Sequence, residues 1–529
     1  MLGRLCPDHL SDCRGWRPRR HVDSPTVLKP SQRSWWDVWS MSRGGSRRQH
    51  QARCSSSYSC EAVCAWEAVE HEGPDLIQSG TVVCQGCVTQ SYWRGSVVVS
   101  MGSLDEGLDV LILGAGIFGT STAYHLAQSY HDPSRVAVLD RAAVPSPQAA
   151  SSDINKIVRA DYSKAFYMDL AYEAMEDWLN EPWAAPYFHQ TGWVMVDEKN
   201  SDLADRIRRL FKESGRPDTS KDISLDDVKT SWGGVLSGVD TTDYAKAYTN
   251  TSAGWADASG AVASMMSETQ KKGVGFYEGE VDELLHNGNR LTGVRTKDGR
   301  IYSAKKIVLA SGAWTPWLMA QLEQELGLTG DQSIEKQIRS AGVCVAAFKA
   351  SEEEGMYYSQ MPVFIYGGKG EMMPPNKDRL FKFTNANTFL NTQRHPCGKD
   401  ISVPHSDQQY LPAGLKHESM EIIRQRMPGI LEGGREPDEW RLCWDAVSPD
   451  QNQLITQHPD HRLSSLYLAT AGSFHSWKFL PNIGKYVVNV LEGKSNGEER
   501  DATWRWKTKF AKRGAHEKVL PKGELRDLV

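Results

Sequence analysis

The chain has 529 residues, more than one typical domain holds and enough for two domains with large cores. Hydrophobic residues make up 40% and charged residues 24%, the ordinary composition of a soluble globular protein. A net charge of −5 argues against nucleic acid as the main partner, and no apolar run approaches the roughly 18 residues of a membrane-spanning helix.

Residues 1 to about 104 differ in character from the remainder of the chain. They are rich in Arg, Ser, Cys and Trp and lack a sustained period of 3.6 or 2. Seven of the ten cysteines lie here: Cys6, Cys13, Cys54, Cys60, Cys64, Cys84 and Cys87. Cys60-x3-Cys64 and Cys84-x2-Cys87 have the spacing of a four-thiolate zinc site, but little between them would pack around a metal. The plainer expectation is a disordered extension, or upstream sequence joined to the protein by an error of gene assignment, with Met101 the natural start. Beyond this region there are only Cys344, Cys397 and Cys443, as in a reduced intracellular protein. There is no basic-then-apolar secretory pattern, and the C-terminus Arg526-Asp527-Leu528-Val529 is not a peroxisomal tripeptide. A cytoplasmic protein is expected, with no metal in its catalytic part.

From Asp109 the pattern becomes regular. The stretch from Asp109 to Arg141 reads as strand, glycine turn, helix and strand, with an acid at the end. Val110 to Leu113 form the short apolar run of a buried parallel strand. Gly114, Gly116 and Gly119 give GxGxxG: the first for the tight turn, the second for approach of a pyrophosphate, the third for close helix packing. A helix from about Ile117 to Tyr130 turns its N-terminal amides, those of Ile117 and Phe118, toward the phosphates. Arg135 to Leu139 is the second strand. Asp140 follows the first glycine by 26 positions (140 − 114), near the spacing at which a carboxylate meets a ribose diol, and Arg141 adjoins it. An ordinary βαβ turn without ligand is the alternative.

A Ser-Pro loop runs from Val144 to Asp153, then an amphipathic helix from about Lys164 to Leu179. Gly192 to Val196, Val274 to Val281, Leu291 to Arg295, Ile307 to Ala310 and Leu466 to Ala469 read as strands. Helices are expected at Ser259 to Lys271, Leu415 to Met427 and Pro481 to Leu491, with strands and loops from Gly342 to Asn391. Dinucleotide-type signals fall near the start, middle and end. The nucleotide domain is therefore expected from separated segments (105–160, 250–325 and 440–495). A substrate domain (161–249 and 326–439) is inserted between them, and 496–529 is left as a tail.

Five stretches in this order resemble the flavin amine oxidases, which include sarcosine, pipecolate, saccharopine and fructosyl-amino-acid oxidases (amadoriases). They are the glycine fingerprint, SSDINKIVRADY (Ser151–Tyr162), IVLASGAW (Ile307–Trp314), RLCWDAVSPDQNQLITQHP (Arg441–Pro459) and GSFHSWKFLPNIG (Gly472–Gly484). The resemblance covers about Leu108 to Gly493. It implies an α/β protein: a Rossmann-like FAD-binding domain built from discontinuous segments, and a substrate domain with a mixed, largely antiparallel sheet capping the flavin. It implies oxidation of an amine C–N bond to an imine, with oxygen reduced to hydrogen peroxide. The partners are then a small amino-acid substrate and O2, and the protein is expected to be a monomer.

The resemblance assigns roles residue by residue. Cys443 stands where the family bonds covalently to the flavin 8α carbon; a buried, inert cysteine is the alternative. Arg159 and Lys478 match a pair that clamps the substrate carboxylate. The plain readings are a surface ion pair of Arg159 with Asp161 or Asp169, and a solvated loop lysine. Lys382 falls where a lysine near flavin N5 assists oxygen reduction. The alternation of LFKF puts it on the strand face opposite Phe381 and Phe383, so an exposed lysine is the alternative. Asn155 and Lys156 are expected to line the ring or ribityl chain, Val281 to meet adenine and Phe479 to sit at the pyrimidine end. His475 acts near the amine or is structural; Tyr162 and Trp477 shape the pocket or merely pack. The fructosyl branch often has a small residue where Arg159 stands, so arginine favours a secondary or N-substituted amino acid over a sugar adduct. Two variants share the oxidation step: catabolic release of the product, and biosynthetic trapping of the imine in a ring, as in fungal secondary metabolism. A non-catalytic flavin protein and an NAD-dependent dehydrogenase are the readings from other classes.

Overall fold

The apolar run expected as the first strand forms Leu108–Leu113, buried along its whole length, in the computed structural model, which describes residues 107–510 and 520–529. The zinc reading of Cys60, Cys64, Cys84 and Cys87, and the extension to residue 104, lie outside the described residues. Leu108–Leu113 sits between two parallel neighbours, Val136–Asp140 and Ile301–Leu309. Gly275–Glu278 extends the sheet beyond Val136–Asp140. Leu466–Thr470 extends it in parallel beyond Ile301–Leu309, and Leu454–Gln457 closes that edge antiparallel. Two further strands, Val281–His286 and Leu291–Thr296, form a hairpin on the N-terminal half of Ile301–Leu309. The eight strands come from three separated stretches of chain.

Helices cover both faces of this sheet, as parallel strands buried on both sides require. Ile117–Ser129, Ala258–Lys271 and Ile483–Leu491 share one apolar cluster with Val110 and Ile112. Thr315–Leu326 packs with Leu111 and Leu113 on the other face. The run expected as one strand from Val274 to Val281 is two strands. The chain leaves the parallel register after Glu278, where Gly279 N donates to Asp140 O (2.7 Å).

The second sheet has nine strands. Its order is Glu439–Val447, Arg339–Lys349, Leu380–Leu390, Gly370–Met373, Val363–Tyr366, Trp193–Glu198, Tyr244–Asn250 and Ser220–Ile223. Gly523–Glu524 adds in parallel to the end of Leu380–Leu390. The sheet is mixed and largely antiparallel, as the resemblance implies. Residues 440–447, expected in the nucleotide-binding segment, instead belong to the edge strand of this sheet. The physical reason is a period of two: Leu442 and Trp444 enter one apolar cluster while Cys443 and Asp445 face the cavity. The stretch from Gly342 to Asn391 also holds a helix, Glu352–Tyr358, started by a Ser351/Glu354 capping box. The expected tail packs too: Glu498–Trp504 is helical, and buried Trp504 donates its indole N–H to Gln453 Oε1 (3.0 Å).

Strand alternation divides the second sheet chemically. Val194, Val196, Phe364, Tyr366, Phe381 and Phe383 form one core, closed by the helix Ala413–Arg426 through Ile423. The other face carries Trp193, Met195, Ile365, Glu371, Lys382, Thr384 and Cys443, and lines a cavity. Among the described residues no helix is long and apolar enough to cross a membrane.

Candidate active site

A cavity of about 400 Å³ runs from the glycine turn of the first sheet to the polar face of the second. At the turn, Gly114 has φ +104°, a left-handed conformation that a side chain would strain. Its N–H donates to Leu139 O (2.9 Å). A Cβ on Gly119 would stand 1.8 Å from Gly114 O, so the helix meets the strand only because that position is bare. Gly114, Gly116, Ile117, Phe118, Asp140, Arg141 and Val281 line the cavity; Gly119 does not.

Two details differ from expectation. Asp140 Oδ2 accepts from Ala115 N (2.6 Å), so the carboxylate braces the turn as well as facing the cavity, and burial pushes its pKa up. The amide of Ile117, expected to face phosphate, donates to Ser151 Oγ (3.0 Å). Arg141 lies over the Trp314 ring (4.4 Å) and donates to Gln148 Oε1 (2.9 Å).

Farther along, a buried carboxylate organises three cations. Asp153 Oδ2 accepts from Lys382 Nζ (2.8 Å) and from Lys156 Nζ. Burial alone would raise the Asp153 carboxyl pKa, but Lys156, Lys382 and Arg441 outweigh it and hold it below the carboxylate range. Lys156 is held above its ordinary value: burial works against the charge and Asp153 overcomes it. Lys382 goes the other way. Burial lowers it, and the neighbouring Lys156 adds to this against the pull of Asp153. The two lysines share one anion, and Lys382 is the deeper of the two. Lys382 is 1% exposed, which rules out the exposed strand lysine. LFKF does place it opposite Phe381 and Phe383, but that face is the cavity wall.

Cys443 is buried on the same wall, with its Sγ 3.9 Å from Lys156 Nζ. Arg441, two residues back on the same face, donates to Ala149 O (2.8 Å) and fixes the loop before Asp153. Cys344, on the other face, is a contrast: burial pushes its thiol to about 12. Asn155 is not on the wall. It lies fully buried behind it, where its backbone carbonyl accepts from Lys382 Nζ (3.0 Å). Phe479 is also off the wall, buried and stacked near Tyr162 (6.1 Å) and Tyr167 (6.2 Å).

The far end holds Arg159, Lys478, His475 and Tyr162. Arg159 is buried, with its guanidinium 4.6 Å from the Tyr162 ring and 4.8 Å from the Trp193 ring, and it donates to Asp161 O. The surface pair with Asp169 does not form; Asp169 pairs with Arg216 (2.9 Å). Asp161 is buried and accepts from Asn250 Nδ2 (3.0 and 3.1 Å); burial raises its pKa to about 6 against the pull of Arg159. Lys478 is 5% exposed, so it is no solvated loop lysine. His475 is pushed down to about 3, first by burial and then by Lys478, and stays neutral at physiological pH. Trp477 packs on Trp178 (5.3 Å) and also reaches the wall.

The turn that leads into His475, Trp477 and Lys478 is strained. Ala471, Ser473 and Phe474 all have left-handed φ (66°, 49° and 58°), a conformation costing of order 1–3 kcal/mol each for side-chain-bearing residues. Asp445 holds the turn, accepting from Phe474 N and Ala446 N (2.8 Å each), while burial raises its own pKa to about 6.

Sequence reasoning missed Asp153, whose only signal was its place in SSDINK. It also missed Glu371, which lines the cavity directly across from Thr384, with no hydrogen bond or ion pair to its carboxylate among the described residues. Among those residues no three His, Cys, Asp or Glu side chains gather as metal ligands would.

Residues 109–490 match the FAD dependent oxidoreductase family, DAO. The L-saccharopine oxidase of Schizosaccharomyces pombe is 27% identical over 424 residues, covering 75% of this chain and 93% of that protein. The peroxisomal sarcosine oxidase of Mus musculus is 24% identical, over 74% and 93% of the two chains. The crystal structure of a modified fructosyl peptide oxidase from Aspergillus nidulans superposes with a TM-score of 0.69 at 27% identity, over 79% of this chain and 98% of that one. With the match spanning the glycine turn, the lysine-rich wall and the strained turn alike, the chain belongs to the FAD dependent oxidoreductase family.

Proposed function

We propose that this flavoenzyme oxidises the C–N bond of a secondary or N-substituted amino acid to an imine and passes the electrons to O2, giving hydrogen peroxide. The observation that carries this reading is the pair of buried basic side chains, Arg159 and Lys478, on the wall of one cavity with Lys382 and Cys443. A planar guanidinium beside the amino group of a lysine suits a carboxylate.

The residues present fit FAD. The cavity is continuous from the glycine turn to the lysines, and Gly116 leaves the wall open where only Ser151 Oγ lies near a would-be Cβ (3.3 Å). Gly114, Gly116, Phe118 and Asp140 would hold the nucleotide end, with Lys156 and Cys443 at the ring. We further propose that the Cys443 sulfur, with Lys156 Nζ 3.9 Å away, carries the flavin covalently. When bound, FAD accepts the hydride from the carbon beside the nitrogen and returns the electrons to oxygen. Lys382 then supplies positive charge where oxygen gains negative charge, held in place by Asp153 and the Asn155 carbonyl. Arg159 and Lys478 orient the substrate, and His475, neutral and bonded to backbone, shapes the turn.

An anaerobic panel of secondary amino acids, read by loss of flavin absorbance, tests the reading. Bleaching by N-methyl amino acids, pipecolate or saccharopine is expected; a flavin that no amine bleaches rejects it. The likeness to fructosyl peptide oxidase structures favours one second reading, a deglycating oxidase. Oxidation of fructosyl-valine that survives Arg159→Ala would establish that reading in its place.

A further inference from the structure

An amine gives up a hydride only as the free base, yet an amino acid arrives as a zwitterion. Something in the pocket must take one proton. His475 is badly placed for it: Nε2 lies 2.8 Å from the Gln451 carbonyl, which only accepts, so Nε2 carries the ring hydrogen. Nδ1 then faces the Tyr162 hydroxyl (3.2 Å). Glu371 lines the cavity, but carboxylates are far weaker bases than amines.

Lys478 is differently placed. Its Nζ donates to His475 O (2.5 Å) and to Tyr162 Oη (3.1 Å). Tyr162 sends its own hydrogen to His475, whose Nδ1 and O both lie at 3.2 Å, so its oxygen is the acceptor toward Lys478. Lys478 forms no ion pair among the described residues, and it shares the Tyr162 ring with Arg159 (5.4 and 4.6 Å). Two cations at one buried ring are costly. An uncharged amine fits these contacts: two N–H groups for two acceptors, and a lone pair left over on a residue of the cavity wall. The groups facing it are Arg159, Asp161 and Tyr162 from the segment before the helix Ala165–Asn180. Glu371 comes from the second sheet and His475 from its own turn. Burial first, and Arg159 next, hold the Lys478 ammonium well below its ordinary pKa, with Glu371 and Asp161 only partly offsetting them.

Resting on the amine-oxidase reading of this pocket, we propose that Lys478 is uncharged in the resting enzyme and takes the ammonium proton of the substrate as its carboxylate docks. One N–H bond of the substrate ammonium breaks and its electron pair stays on nitrogen; one N–H bond forms on Nζ. The positive charge moves to Lys478, beside the carboxylate, and the substrate is left as the neutral amine that hydride loss requires. In an α-amino acid nitrogen and carboxylate share one carbon, so a group that reaches one reaches the other.

Propionate, a carboxylate with no amine, isolates the proton. Binding to the wild-type holoenzyme at pH 7.5, followed by calorimetry in buffers of different ionisation enthalpy, should take up close to one proton per ligand. Lys478→Arg fixes at this position a positive charge that cannot be shed. It should bind propionate with no proton uptake and bind substrate within about tenfold of wild type. Its anaerobic flavin reduction should fall at least 30-fold at pH 7 and rise about tenfold per pH unit, tracking the free amine. Wild-type binding without proton uptake overturns the proposal even if the variant fails to fold, as does a Lys478→Arg enzyme with the wild-type pH profile. A wild-type flavin that no amine bleaches overturns the oxidase reading and the proton transfer with it. Bleaching without proton uptake overturns the proton transfer alone.

Discussion

The two ends of the cavity are built by opposite strategies. The nucleotide end is largely local: strand, turn, helix, strand and acid fall within Leu108 to Asp140, and Asp140 braces the turn through Ala115 N. The substrate end gathers one to three residues each from six strands of the second sheet, from the loop before Tyr162 and from the strained turn after Thr470. The local end tolerates almost no added atom, whereas the assembled end balances charges. Substitutions should therefore fail sterically at one end and electrostatically at the other.

The largest effect is expected at the local end. Gly119→Ala drives a Cβ to 1.8 Å from the Gly114 carbonyl oxygen, a backbone atom that cannot swing aside. The strand and helix must separate, at a cost of about 3 kcal/mol or more. Loss of folded, flavin-bearing protein is expected. Gly116→Ala, whose Cβ meets only Ser151 Oγ at 3.3 Å, should keep it. Flavin content per folded protein and the Tm of both variants check the contrast; equal behaviour would erase it.

At the assembled end, Cys443→Ala should change one property completely and others little. The cysteine packs against Val343 and Val345, and loss of one sulfur from that cluster is a small cavity. Flavin should no longer remain with acid-precipitated protein, while the fold persists. Covalent flavin in the variant would remove Cys443 from the attachment site. Next in size, Arg159→Ala should raise the Kd of a carboxylate substrate about 100-fold. Hydrogen bonds to charged groups are worth about 1.5–3 kcal/mol each, and a guanidinium offers two in parallel. Binding of a matched substrate with its carboxylate esterified should change much less. Equal losses for acid and ester would mean that Arg159 only fills space between Tyr162 and Trp193.

The same division decides what could be read from the sequence. Gly114, Gly119 and Asp140 were legible because their roles depend on spacing along one chain segment. Lys382 was legible as to face but not burial: LFKF gives alternation, and only the strands on either side make that face a cavity wall. Glu371 was not legible, since its place there follows from pairing with Thr384, and register between distant strands is not a local property. Asn155 and Phe479 stood one position from the wall. Their neighbours Lys156 and Lys478 line it, and an extended strand or a tight turn sends adjacent side chains to different sides. Asp153 was hidden because its importance lies in bridging Lys156 and Lys382, residues 226 positions apart (382 − 156).

The smallest expected effect separates charge from shape within the substrate end. His475 has a folded pKa of about 3 against an ordinary value of 6.5, chiefly because burial opposes the imidazolium. The folded state therefore refuses a proton that the unfolded chain accepts between those two values. Linkage fixes the sign: unfolding takes up a proton in this window, so stability falls as pH drops below 6.5 and stops falling, for this residue, near pH 3. At pH 5 the gap of 1.5 pH units corresponds to about 2 kcal/mol lost relative to pH 7.5, at about 1.36 kcal/mol per unit. His475→Asn cannot titrate there, and its amide can still meet one of the ring's two polar partners. Denaturant unfolding at both pH values should show the variant less stable than wild type at pH 7.5, where a hydrogen bond is lost, with the difference narrowed or reversed at pH 5. Parallel losses for both proteins would place the acid sensitivity in other buried groups, and would make His475 a shape element of the turn with no share in the charge balance around Lys478.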